Sequence, residues 1–78
     1  VRSQVHRKEI LIMGLKLYHI DTSPLPADAQ DAAIHFIEIN SFTHNYIPYT
    51  NGCFECTWEE SVNLSLFPVL SGCIVREL

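Results

Sequence analysis

Between Leu17 and Val75 the chain has neither lysine nor arginine. Its five basic side chains are Arg2, Arg7, Lys8, Lys16 and Arg76, all outside that interval. Inside it lie Asp21, Asp28, Asp31, Glu38, Glu55, Glu59 and Glu60. A body of one sign offers nothing to neutralise phosphates, and the basic start has no interleaved aromatics, so nucleic acid is excluded as a partner. If charge steers any association, the expected partner is a basic protein surface. Residues 1–8 are expected to form a flexible basic arm. Long apolar runs are missing as well. The longest, "ILIMGL" at 10–15, falls far short of the roughly 20 residues a membrane helix needs. Glu9 and Lys16 bound it before a signal-peptide core is complete. No membrane association is expected. The three glycines are isolated, which excludes a glycine-rich phosphate loop, and Ser61, Ser65 and Ser71 lack a G-x-S-x-G setting.

What is present is apolar matter on a short chain. Hydrophobic residues make up 47% of the 78 positions and charged residues only 18%. One small domain over 1–78 follows, with much surface for its volume. Such a chain must expose apolar side chains or cover them with a partner, and a second copy is the simplest cover, so a homo-oligomer is expected.

The patterning predicts a small α+β fold, mostly antiparallel β-sheet, with a C-terminal meander and one short helix. "KEILIMGLKLYHI" (8–20) reads as a strand, with Gly14 at a bulge or close backbone contact. Two prolines and three Asp break the chain over 21–31. Ser23 is a possible helix cap, with Pro24 or Pro26 in the first turn. The alanines favour a short helix around 25–33, and the β-branched run Ile34, Ile37, Ile39 favours a strand over 34–40. "NYIPYT-NG-CFECTW" carries an Asn-Gly pair, the signature of a type I′ hairpin turn. A two-residue turn pairs Thr50 with Cys53, Tyr49 with Phe54, Pro48 with Glu55, Ile47 with Cys56 and Tyr46 with Thr57. Pro48 then places the outer strand at a sheet edge. "SVNLSL" (61–66) alternates as a half-buried strand, although "TWEE" also fits a helix capping box with Thr57 and Glu60. "SG" (71–72) turns the chain into a last strand, "CIVREL".

Cys53 and Cys56 have C-x-x-C spacing, and Cys73 stands alone. A redox motif would place its first cysteine at a helix start, whereas this one follows a turn, with Glu55 and Glu59 opposing a thiolate. If a metal were bound, the ligands would be Cys53, Cys56, Cys73 and His44, but residues three apart on a strand face opposite ways, and a second C-x-x-C is missing. No cofactor and no metal are assigned. Cys53 and Cys73 are expected at the same end of alternate strands, too far apart for a disulfide. Free buried thiols point to a reducing, cytoplasmic setting. His35 and Glu38 would be neighbours on a helix and would face apart on a strand; no catalytic residue is assigned. His19 with Asp21 lacks a third member for a metal site.

The strings "MGLKL" (13–17) and "NGCF" (51–54) resemble short segments of cloacin-type immunity proteins, small acidic inhibitors of nuclease toxins. They span nine of 78 residues, their separation differs from the family's, and no functional residue is carried over. The leading expectation is a non-enzymatic interaction or inhibitor module, with Tyr46, Tyr49, Phe54, Glu55, Trp58, Glu59 and Glu60 as its binding residues. Aromatic side chains are typical anchors of interfaces. The alternatives are a small zinc-binding protein and, more weakly, an enzyme using a His35/Glu38 pair at a subunit interface.

Overall fold

A computed structural model of the chain describes residues 14–78. The expected arm, and the part of the first strand before Gly14, lie outside the described residues. The fold is a small α+β unit, one helix over a four-stranded antiparallel sheet. Strand β1 runs Leu15–Asp21 and helix α1 Ala27–Asn40, followed by β2 (Thr43–Tyr46) and β3 (Cys53–Glu59). Two short 3-10 turns, Leu64–Leu66 and Pro68–Leu70, precede β4 (Ile74–Glu77). The sheet order is β2-β3-β1-β4. It is not a C-terminal meander, because β1 inserts between β3 and β4.

Helix α1 is continuous through 34–40, where a strand was expected. Four alanines and the spacing of Ala33 and Ile37 outweigh the β-branched run. Those two residues, four apart on one face, are both fully buried. Ile39, off that face, is exposed. Entry is set by Pro26, whose carbonyl accepts from Gln30 N–H at 2.8 Å. Ser23 does not cap; its N–H donates to Asp21 Oδ1 instead. At the far end Ser41 donates to the Ile37 carbonyl through both N–H and hydroxyl, at 3.0 and 2.6 Å.

The hairpin forms in a different register from the one expected. Tyr46 pairs with Phe54, His44 with Cys56 and Thr43 with Thr57. Residues 47–52 make a six-residue loop. Asn51 does not take the positive φ that a type I′ turn needs at its first position; Tyr49 (φ 63°) and Gly52 (φ 97°) do. Pro48 lacks an N–H and falls in the loop rather than on the edge strand. The Thr50 hydroxyl donates to the Ile47 carbonyl at 2.6 Å and accepts from Cys53 N–H at 3.3 Å. The Gly52 carbonyl accepts from Thr22 N–H and from its hydroxyl, at 2.9 and 2.7 Å.

Residues 61–66 are neither strand nor capping-box helix. Asn63 Oδ1 accepts from Ser65 N–H and Ser65 Oγ, at 3.1 and 2.7 Å. Such local bonds compete with a sheet ladder and favour a turn. Thr57 and Glu59 belong to β3.

The core lies between sheet and helix. Ile20, Phe54, Cys56 and Trp58 from the sheet meet Ala33 and Ile37 from the helix, closed by Leu64 and Leu70 from the 3-10 turns. Phe36 stacks on Trp58 at 6.0 Å and meets Phe67 at 5.0 Å.

Candidate functional site

Because Phe54, Cys56 and Trp58 face the helix, Cys53, Glu55, Thr57 and Glu59 face the other way. The register extends that second face across the sheet. Asn45, Glu55, His19 and Arg76 form one row over all four strands. Thr43, Thr57 and Leu17 form the next, with the two threonine hydroxyls 2.7 Å apart. Cys53, Asp21 and Ile74 form a third. No helix or loop among the described residues packs over this face. Leu17 and Ile74 are exposed on it, and Leu78 continues it past β4. Among the described residues, three carboxylates (Asp21, Glu55, Glu59) stand there against one guanidinium (Arg76). Backbone donation from Ser23 holds the Asp21 carboxyl below its ordinary range, so it stays ionised.

The seven expected binding residues separate into three groups. Glu55 and Glu59 lie on the uncovered face, and Glu60 is exposed just beyond β3. Tyr46 and Tyr49 are exposed on the opposite part of the hairpin, Tyr49 completely. The Tyr46 hydroxyl is bonded to the Thr50 carbonyl, and its ring meets Phe54 edge-on at 5.3 Å. Phe54 and Trp58 are each only 3% exposed. They are core residues, which a partner cannot touch without opening the fold. Alternation along β3 places both rings with Cys56 on the side that faces the helix.

The thiols do not converge. Cys53 faces out from the uncovered side of β3, and Cys56 is fully buried on the helix side beside His44. Cys73 precedes β4, with β1 between it and Cys53. All three are free. Among the described residues no three His, Cys, Asp or Glu side chains are grouped to hold a metal ion. Burial pushes the Cys56 thiol up from its ordinary 9.0, against an indole N–H donated by Trp58 at 3.2 Å. Burial and the neighbouring Asp21 raise Cys53 and Cys73 as well. None is poised as a nucleophile. His35 and Glu38, one turn apart on α1, are both exposed, and neither lines the groove described next.

On the helix side, where α1 gives way to the 3-10 turns, a groove of about 680 Å³ opens. Tyr18 and Lys16 floor it, Leu64, Leu70 and Glu60 wall it, and Cys73 and Val75 carry it to the outermost strand. Sequence reasoning missed this groove, along with His19, Arg76 and Leu17 on the uncovered face. Strict alternation through "LKLYHID" was the available signal for the latter. No helix among the described residues is long and apolar enough to cross a membrane. No family model matches the chain, and no curated protein or solved structure is similar to it.

Proposed function

We propose that this chain is a non-enzymatic protein-binding module that presents the uncovered side of its sheet to a basic protein surface and self-associates. The observation that carries the reading is the composition of that side among the described residues: exposed Leu17 and Ile74 with three carboxylates and a single guanidinium. Apolar contact supplies affinity there, and the carboxylates supply orientation and rate. A small domain whose described residues cover one face of the sheet and leave the other bare has reason to close the bare one. An inhibitor of a basic protein would use the same surface.

The test starts from proteins retained on the immobilised chain at low salt. A basic protein recovered in this way is purified, and its association rate is measured at low and high ionic strength. Glu55→Gln/Glu59→Gln should slow association and flatten its salt dependence. A partner that binds the double variant equally fast, at any salt, refutes the electrostatic part of the proposal. Self-association is read separately by light scattering, where a monomer of the full chain's 8.9 kDa at tens of micromolar (about the range of useful cellular affinities) refutes it.

A further inference from the structure

Strand β4 borders the sheet, with all four residues exposed. Leu78 N–H donates to the Leu17 carbonyl at 2.9 Å, so Leu78 turns its backbone inward to β1. Alternation in an antiparallel ladder then points Ile74 and Arg76 inward as well. Val75 and Glu77 are left with N–H and C=O directed away from the sheet. Their side chains lie on the helix side, since Val75 pairs with buried Ile20 and Glu77 with Tyr18. Val75 lines the groove. Among the described residues, an open backbone edge and a side-chain groove therefore coincide on one strand.

We propose that β4 receives an extended peptide segment of another protein as a fifth, antiparallel strand. Its backbone would bond to Val75 and Glu77, and an aliphatic side chain would enter the groove beside Val75. Main-chain bonds at an edge give such complexes affinity, and pockets for alternate side chains give them selectivity. The chemistry of the segment follows from what stands opposite. The residue facing Val75 meets Leu64, Leu70 and Tyr18, and is branched aliphatic. The next faces Arg76 on the uncovered side, and is acidic. The third faces Glu77 and is basic, because Glu77 and Glu60 on this side outnumber Lys16. The Lys16–Glu77 pair, at 3.8 Å with both partners partly exposed, offers little resistance to a second cation. Read from its N-terminus, the segment is basic, acidic, aliphatic.

A second copy of β4 is the rival occupant, and it fits worse. Symmetric pairing that uses the open groups of both Val75 and Glu77 centres on Arg76 and sets it directly against its own copy. Like charges directly opposite destabilise a ladder. Centring on Val75 avoids that clash, but it matches Glu77 with Cys73, whose N–H is already given to the Leu70 carbonyl at 3.0 Å.

The experiment titrates the isotopically labelled full chain with an acetylated, amidated pentapeptide, Thr-Lys-Glu-Ile-Thr, and follows the backbone amides by NMR. Saturable shifts and slowed exchange are expected at Val75 and Glu77, with Leu17 and Glu55 unmoved. The charge-exchanged peptide Thr-Glu-Lys-Ile-Thr should bind about fivefold more weakly or worse. N-methylation at its isoleucine should abolish binding. Equal binding of all three peptides, shifts confined to the uncovered face, or no saturable response by about 1 mM peptide would each overturn the proposal. Concentration-dependent shifts at Val75 and Glu77 without peptide would overturn it in favour of the second copy. The salt response of the Glu55/Glu59 surface is independent of all these outcomes.

Discussion

Replacing Gly52 by alanine should remove much of this protein's stability, and the parts of that loss can be counted. Gly52 sits at φ 97°, outside the range L-residues tolerate well. Forcing a side chain into left-handed backbone costs ~1–2 kcal/mol. The new Cβ would also lie 2.2 Å from Thr22 Oγ1 and 2.4 Å from Gln30 Nε2. Gln30 can swing away, giving up its bonds to the Asn51 carbonyl and Thr22 Oγ1 at 2.9 and 3.2 Å. Thr22 has no such freedom. It is fully buried, its hydroxyl is one bond from a branched carbon, and moving it breaks the 2.7 Å bond to the Gly52 carbonyl. An unsatisfied buried hydroxyl costs ~1–3 kcal/mol. The total is ~2–5 kcal/mol, set against the ~4–12 kcal/mol typical of 78 residues. In urea, followed through the fluorescence of the single tryptophan, the midpoint should fall by about 2–5 M for a slope near 1 kcal/mol/M. Asn51→Ala is the control, because Asn51 is exposed and its φ is not positive; it should change stability by less than about 0.5 kcal/mol. Gly52→Ala shifting the midpoint by under about 0.5 M, or Asn51→Ala costing as much, would refute the loop geometry.

Tyr49→Gly should leave stability unchanged or raise it by ~0.5–1 kcal/mol, since the ring is fully exposed and its backbone strain disappears; a fall in Tm would show that the ring packs. Ile37→Ala should cost ~2–5 kcal/mol, because a fully buried side chain of the helix leaves a cavity against the sheet; thermal unfolding by circular dichroism checks this. Burial favours the neutral Cys56 thiol in the folded protein, so its stabilisation is complete below the ordinary 9.0 and is lost as pH rises toward the raised folded value. Urea midpoints should therefore fall above about pH 9, and less steeply in Cys56→Ala; parallel profiles would contradict the assignment.

How much of this was legible beforehand varies by element. β3 was readable, because Cys-Phe-Glu-Cys-Thr-Trp-Glu alternates and follows a glycine that must turn. Its partner's register was not. Asn-Gly suggested a two-residue turn, while the bonds that fix the real loop come from Thr22 and Gln30, distant in sequence. The helix over 34–40 was misread because isoleucine suits a strand and a buried helix face alike, and only the layer beneath decides. At 61–66 the alternation of Val62, Leu64 and Leu66 imitated a strand. Leu66 turned out exposed, and the Asn63 side chain closed a local turn instead. The glutamates of the uncovered face were found from charge alone. The groove was not, since it is assembled from three separate parts of the chain.

The sheet order has a consequence for how the molecule assembles in time. Its central ladder joins β1 to β3, matching Asp21 with Cys53 across the helix, β2 and the 47–52 loop, and the outer ladder reaches on to β4. Among the described strands, only β2 and β3 are neighbours both in sequence and in space. Loop closure must therefore be met before the two innermost strands reward it, which slows folding relative to a simple succession of hairpins. Among the described residues, the hairpin and α1 are the pieces that local contacts can favour early. β1 must then find a slot between β3 and the arriving β4, and until it does, two strand edges stand open to other chains.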